Sequence, residues 1–312
     1  IVAFVKGNTK ERPLGFAAHM DQIEPCRNVN PVINGNIIST DKTTTLGGDD
    51  KAGISAIMEA VEDIIESGVP HRDIYLVFTC SEEISMMGTK HMDMSMLPCK
   101  ELVVVDATGG AETLAYKAPA MEAIEITFKG KKAHAGIEPE KGINAIVVAS
   151  KAISKMHIGR IDYETTSNIG HIEGGSATNI VTDEVTFTAE IRSHSLEKLA
   201  AEVTHMEQCC KEAVEEMGAC YEMKHEMAYP VLSLEEDCEL IQDTVNAMAE
   251  ERITANKMII GGGSDANVLA GHGYKSVILG CGMINVHTVE EALDTDETWK
   301  VTKVLRRLMG AE

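Results

Sequence analysis

The sequence predicts an α/β protein in two parts: a larger domain with a mixed, largely parallel sheet flanked by helices, and a smaller α+β domain inserted into it. Three observations carry this expectation. Apolar strand-like runs surround one helical segment in the first third of the chain, strands of alternating polarity replace them from about Glu122 to Glu226, and the first pattern returns after Pro230. With 312 residues there is chain enough for two cores. The expected division is 1–115 with 229–312 for the larger domain and 116–228 for the inserted one.

In chain order, buried strands are expected at Ile1 to Lys6, Leu14 to Met20, Ile74 to Cys80 and Leu102 to Asp106. The helix among them begins after Lys51, sets Ile54, Ile57, Met58, Val61 and Ile65 on one face, and stops at Gly68 with Pro70 behind it. In the inserted part, Glu122 to Phe128 and Val185 to Ile191 alternate polar and apolar side chains, as a sheet with one wet face requires. Two helices separate these strands, one from Ile143 to Met156 and a longer one carrying Leu199, Val203, Met206, Val214 and Met217 before Gly218. The order strand, helix, two strands, helix, strand implies an antiparallel sheet. Beyond Pro230, Ser233-Leu234-Glu235-Glu236 reads as a capping box ahead of a helix to about Glu251. Strands Lys257 to Ile260 and Ser276 to Leu279, then a helix towards Leu308, complete the pattern.

Composition narrows the partners. Acidic residues outnumber basic ones by 49 to 28, and the formal charge of -21 repels phosphate backbones and anionic lipid surfaces. Neither nucleic acid nor membrane is expected as a partner. The eight cysteines show no Cys-x-x-Cys spacing and no regular framework, as in the reduced thiols of a cytoplasmic protein. No apolar run is long enough to span a bilayer. The chain opens directly on a strand without an initiator Met, so an N-terminally shortened form of something longer is expected.

Five clusters carry chemistry. An apolar strand ends in His19 and Asp21, two residues apart and therefore on one face. Such a pair suits a metal-bound imidazole whose second ring nitrogen is held by the carboxylate, and equally a strand-end His bonded to its neighbour. Asp49 and Asp50 stand at a helix start, where Asp is also a favoured cap. Glu82 and Glu83 follow the Ile74 strand, at the carboxyl end where α/β sheets bind ligands. Adjacent glutamates point apart, so one can ligate a metal while its neighbour acts as general base on water. Asp106 ends the run Leu102-Val103-Val104-Val105, and His287 lies in the stretch from Gly280 to Glu291, just before a helix. Each cluster alone has a bland reading as cap, acidic turn or surface residue. Jointly, two imidazoles and a surplus of carboxylates after strand ends are what a two-metal hydrolytic centre requires.

On these residues, and above all on Leu46-Gly47-Gly48-Asp49-Asp50-Lys51-Ala52-Gly53, the chain resembles the zinc-dependent exopeptidase and aminoacylase family of peptidase T, aminoacylase, carboxypeptidase G and succinyl-diaminopimelate desuccinylase. The resemblance runs from His19 to the end and is strongest to the peptidase T-like branch. It implies that Asp49 bridges two Zn2+ ions, for which Co2+ or Mn2+ can substitute. His19 and Asp106 then complete one ligand set, and Glu83 and His287 the other. Asp21 orients His19, Glu82 is general base and acid, and a cis peptide follows Asp49.

The inserted domain matches the family's lid or dimerisation domain, through which a homodimer is expected. Within it, His134 of Gly130 to Gly136 matches the residue that helps stabilise the tetrahedral oxyanion, in some relatives from the partner subunit. Asn179 and Arg192 match segments lining the substrate pocket, with Arg192 placed to clamp a peptide carboxylate, and Ser264 lies in Gly261 to Asp265, which resembles the glycine-rich loop beside the substrate. A surface His and an ion-paired Arg are the alternatives for His134 and Arg192. No chemistry is assigned to His71, His91, His157, His171, His194, His205, His225 or His272. The implied activity is hydrolysis of the N-terminal peptide bond of short peptides, tripeptides foremost. N-acyl-amino-acid deacylation, dipeptidase or carboxypeptidase action of the same family is the alternative, and a non-catalytic binding homologue the third reading.

Overall fold

The structure is a computed structural model and describes residues 1–310. Its contacts divide the chain into two units, one of Ile1–Ala118 with the chain from Leu232 onward, the other of Pro119–Val231. The first flank of the larger unit holds strands β1 (Val2–Val5), β2 (Leu14–His19), β3 (Pro31–Asn34), β4 (Ile37–Thr40), β5 (Ile74–Thr79), β6 (Glu101–Thr108) and β7 (Thr113–Ala118), with helix α1 (Gly48–Ser67) and the single turn α2 (Met87–Lys90). The inserted unit holds β8 (Ala120–Lys129), α3 (Ala145–Ile153), β9 (Gly159–Arg160), β10 (Thr165–Gly174), β11 (Glu184–Ser193), α4 (Leu196–Met217) and β12 (Cys220–Tyr229). The second flank adds β13 (Leu232–Ser233), α5 (Glu239–Glu250), β14 (Asn256–Ile259), α6 (Asp265–Gly271), β15 (Lys275–Ile284), β16 (Ala292–Asp294) and α7 (Thr295–Leu308).

The larger unit is built on one mixed sheet whose four central strands, in the order β5, β2, β6, β15, are parallel. Antiparallel strands lie outside them: β1 on β5, β16, β4 and β3 beyond β15, and β7 branching from β15. The near-continuous apolar runs of the central strands follow from burial on both faces. Phe16, Val103, Val105, Val277 and Leu279 pack under α1, α5 and α7. Their neighbours Ala17, Leu102, Val104 and Ile278 point the other way, onto a core shared with Leu97, Cys99, Leu269 of α6 and Tyr274.

Helix α1 departs from the expected apolar face. Met58 and Ile65 are 48% and 61% exposed, whereas Ala52, Ala56, Ile57, Ala60, Val61 and Ile64 are buried. The buried stripe is turned towards the small residues because the helix lies very close to β6. A Cβ on Gly53 would collide with the Val105 carbonyl oxygen and with the Asp50 carboxylate. The helix ends as expected at Gly68, which takes φ 65 and donates its N–H to the Ile64 carbonyl.

A second departure concerns Ser233, which pairs with Lys117 in β13 instead of capping a helix. Helix α5 starts later, behind Cys238, with no side-chain cap. The capping box of this flank sits at α6, where Ser264 and Asn267 satisfy each other's backbone N–H groups. Likewise His287 does not precede a helix directly, since β16 intervenes before α7.

The inserted unit is a five-stranded antiparallel sheet in the order β12, β8, β11, β10, β9. Its alternation places Ile124, Ile126 and Phe128 of β8 and Val185, Phe187 and Ile191 of β11 against α3 and α4. Helix α3 is shorter than the apolar pattern implies; it starts behind Asn144, which caps it by accepting from Ile146 N and Val147 N, and ends at Ile153. Among the described residues no helix is long and apolar enough to cross a membrane, and the eight cysteines are free thiols.

Candidate metal centre

The carboxyl ends of the four parallel strands deliver the chemistry, as the open edge of an α/β sheet does in general. His19 is the last residue of β2, Asp106 lies in the final turn-ward part of β6, Glu82 and Glu83 follow β5, and His287 follows β15. Asp49 joins them from the entry of α1. His19 Nε2 stands 2.8 Å from Asp49 Oδ1 and 3.7 Å from Asp106 Oδ1. On the other side of the same carboxylate, His287 Nε2 is 3.3 Å from Asp49 Oδ2 and 2.9 Å from Glu83 Oε2. Two ligand-type sets result, His19, Asp49, Asp106 and Asp49, Glu83, His287, each with its donor atoms within 4.8 Å of one another. They share Asp49.

Four further carboxylates hold this arrangement. The backbone of Asp49 and Asp50 is not yet helical, and the peptide between them is cis. Asp50, fully buried, accepts from Gly53 N at 3.2 Å and from His19 N at 3.1 Å. The capping reading is therefore right for Asp50, which caps α1 and fixes the end of β2 at once. Glu291 accepts from three backbone N–H groups: Leu46 at 2.7 Å, Gly47 at 3.0 Å and Asp49 at 2.9 Å. Asp21 lies 3.5 Å from His19 Nδ1, longer than a good hydrogen bond, and its carboxylate instead accepts from Glu82 N at 3.0 Å and Glu83 N at 3.1 Å. Asp265, buried, accepts from the Thr79 and Thr89 hydroxyls, each at 2.5 Å. The sequence assigned no role to Glu291, and placed Asp265 only within the glycine-rich segment from Gly261; their partners lie far along the chain.

The electrostatics follow from burying so many acids. Burial pushes the Glu82 carboxyl up to about 8, with the charges of Asp265, Glu83 and Asp49 adding to it. Asp106 is raised well above the usual carboxylate range, by burial first and then by Asp50, Glu82 and Asp49. Burial would lower the His19 imidazole, but the hydrogen bond to Asp49 and the neighbouring carboxylates outweigh it and raise it to about 9. The hydrogen bond to Asp49 does the same for His287, also to about 9. Lys51 is engaged elsewhere, donating to the Asp21 carbonyl at 2.8 Å. Carboxylates in excess, with two imidazoles as the nitrogen donors, form a set that divalent ions of the Zn2+, Co2+ and Mn2+ class fit.

The inserted unit separates the residues expected to line a substrate pocket. His134 and Asn179 come together at one end of its sheet: Ala135 N donates to the Asn179 carbonyl at 3.0 Å, and His134 pairs with Ile180. The His134 side chain is exposed and its Nδ1 accepts from Gly136 N at 3.2 Å. Arg192 lies at the opposite end of β11, opposite Met121, with its guanidinium on both oxygens of Glu190 at 2.9 and 3.0 Å. A strand of this length, at about 3.3 Å per residue, keeps Arg192 roughly 25 Å from the His134 end. In the larger unit, the Ser264 side chain is buried and accepts from Ala266 N at 3.3 Å.

Comparison with known proteins agrees with this anatomy. The M20 peptidase dimerisation domain matches residues 121–218, and the M42 glutamyl aminopeptidase family matches residues 28–137. Aminopeptidase PepT from Bacillus cereus superposes with a TM-score of 0.90 at 35% identity, over 99% of this chain and 83% of that one. A tripeptidase from Staphylococcus aureus gives a TM-score of 0.94 at 34% identity, with the same coverage. The chain is a peptidase T-like member of the M20 peptidase family. An uncharacterized protein of Bacillus subtilis, YqjE, is 39% identical to this M20 peptidase over 98% of the chain and 82% of its own length. Peptidase T of Streptococcus pyogenes is 27% identical, over 92% of the chain and 80% of its length. The fold is shared more widely: a Bacillus subtilis M20 peptidase described as binding a dinuclear metal superposes at a TM-score of 0.74 with 16% identity.

Proposed function

We propose that this M20 peptidase removes the N-terminal residue from short peptides, tripeptides foremost, at a centre of two Zn2+ ions. The observation that carries the reading is the pair of ligand sets sharing Asp49, with the Glu82 carboxyl beside them. His19 and Asp106 would hold one ion with Asp49, and Glu83 and His287 the other. When bound, the ions supply Lewis-acid polarisation of the scissile carbonyl and acidification of water. The chain supplies the rest. Glu82 takes a proton from the attacking water on its carboxylate and returns it to the leaving amine. Asp21 positions Glu82 and Glu83 through their backbone N–H groups. The tripeptide preference is supported by the names of the similar proteins, a tripeptidase and aminopeptidase PepT.

Arg192 clamps the carboxylate end of the peptide, exchanging one of its Glu190 contacts for it. A tripeptide spans about 10 Å, so Arg192 and His134 of one chain cannot meet the same substrate. One of the two then belongs to the partner subunit of a homodimer, and the resemblance of the His134 segment to one that acts across subunits in some relatives assigns that place to His134. Two features at the His134 end support that dimer: Ile137, Ile146, Val147, Ile172 and Ile180 are exposed there, and β9 covers β10 only at Thr166 and Ser167, leaving an open edge among the described residues. A cytoplasmic location belongs to the same proposal.

The test is mass-spectrometric product analysis of the zinc-loaded protein with free tripeptides, their N-acetylated forms, dipeptides and N-acetyl amino acids. Release of only the N-terminal residue from free tripeptides is the expected result. Cleavage confined to acylated substrates would replace the aminopeptidase reading by the deacylase one, and no cleavage would leave a binding role.

A further inference from the structure

Outside the centre, the inserted unit assembles a second group of metal-ligand side chains that the peptidase chemistry does not use. Glu202, His205 and Cys209 lie three and four residues apart on α4 and so share one face. His157, in the segment after α3, stacks its ring on that of His205 with centroids 4.0 Å and planes 15° apart, so one ring must turn for both to face a single ion. His157 Nδ1 stands 3.2 Å from Glu202 Oε2, and the ligand-type atoms of His157, Glu202 and His205 lie within 4.8 Å of one another.

The decisive atom is Glu202 Oε1. The Glu202 side chain is 10% exposed, and this oxygen is buried without a hydrogen-bond partner among the described residues. A carboxylate oxygen buried without a donor is costly, and a bound cation removes that cost. The nearby Lys155 ammonium does not serve, since it pairs with Glu212 at 2.8 Å. His205 Nε2 lies 3.2 Å from the Lys155 carbonyl, a backbone contact of the kind that orients ligating imidazoles. His157 is 56% exposed, so water can reach the group and complete a coordination shell.

We propose that the inserted unit binds one divalent transition-metal ion through His157, Glu202 and His205, tying the segment after α3 to the middle of α4. Two imidazoles and one carboxylate select Zn2+ and its neighbours over Mg2+ and Ca2+, which take oxygen ligands. The site braces the unit and takes no part in hydrolysis.

Zn2+ itself is the probe, counted per chain by elemental mass spectrometry after equilibrium dialysis of the full protein against buffered free zinc. Wild type is expected to hold one more equivalent than H157A/H205A, with peptide hydrolysis equal in the two. Glu202→Gln, which keeps the side-chain shape and removes the ligand's charge, should weaken that equivalent measurably. A variant lacking both His19 and His287 should retain it, which separates this site from the catalytic reading. The thermal midpoint of wild type should rise on filling the extra site, and that of the double variant should not. Equal zinc content and equal zinc-dependent midpoints in wild type, H157A/H205A and E202Q would overturn the proposal.

Discussion

Replacing Glu291 by Gln keeps the side-chain shape and removes one charge, and it should loosen the metal centre without altering a proposed ligand. The Glu291 carboxylate serves Leu46 and Gly47 through Oε2 and Asp49 through Oε1. Gln retains one oxygen for the first two, but turns an NH2 group towards the Asp49 N–H. A charge-assisted hydrogen bond of about 1.5–3 kcal/mol is lost, and a buried N–H is left facing another donor at a cost of about 1–3 kcal/mol. The two figures describe one position and overlap, so a loss of about 3 kcal/mol is expected, centred on Asp49. At about 2–4 °C per kcal/mol for a domain of this size, the thermal midpoint should fall by roughly 6–12 °C. Whatever share of that energy is felt only with ions on Asp49 weakens zinc binding instead, by up to about a hundredfold if all of it falls there. The assay is thermal unfolding with and without Zn2+, together with competition against a chelator of known affinity. An E291Q protein with wild-type midpoint and zinc affinity would refute the view that this carboxylate holds the Asp49 loop.

Three other outcomes follow from the site. Glu82→Gln should abolish turnover while leaving metal content unchanged, and measurable hydrolysis by that variant would remove Glu82 as the base. Chelator-treated protein should lose stability as pH rises: His19 and His287 are raised from 6.5 to about 9 and Glu82 from 4.5 to about 8. The folded state then holds more protons than the unfolded one between those values, so the imidazole contribution is full below pH 6.5 and gone above about 9, while the Glu82 penalty grows from 4.5 to about 8. Its thermal midpoint should fall from pH 6 to 9 as protection by Zn2+ grows, and a flat profile would contradict the assignment. Finally, mixing H134A with E82Q after subunit exchange should restore up to about a quarter of wild-type activity, half the dimers being mixed and each holding one complete site. No recovery would place His134 in the same chain's site or outside the chemistry.

Much of this was legible before the fold, for reasons that differ between residues. His19, Glu83, Asp106 and His287 fall at or near strand ends, which the sheet brings together, and Asp49 joins them from the start of α1. The α1 stripe was misplaced because apolar pattern rewards large residues, whereas Ala52, Ala56 and Ala60 are buried by close approach to the sheet. Ser233 carries a capping signature that strand pairing with Lys117 overrides. Glu291 and Asp265 act through partners far along the chain, Leu46 to Asp49 for one and Thr79 and Thr89 for the other. No spacing rule encodes such contacts. The separation of His134 from Arg192 likewise depends on which way β11 runs in the folded sheet.

The insertion also sets an order in time. β15 pairs in parallel with β6, joining Ser276 to Leu102, and every residue of the inserted unit is synthesised between them. His19, Asp49, Glu83 and Asp106 emerge early, while His287 and the Glu291 clamp emerge after the insertion is complete. The inserted unit has its own core and can fold on the ribosome as it appears. The larger sheet must wait, with the flank of β6 open, until a long loop is closed by β15. On the proposed reading, a nascent chain therefore carries four of its five ligands and Glu82 in an inert form, and becomes a peptidase only when β15 and His287 have been made.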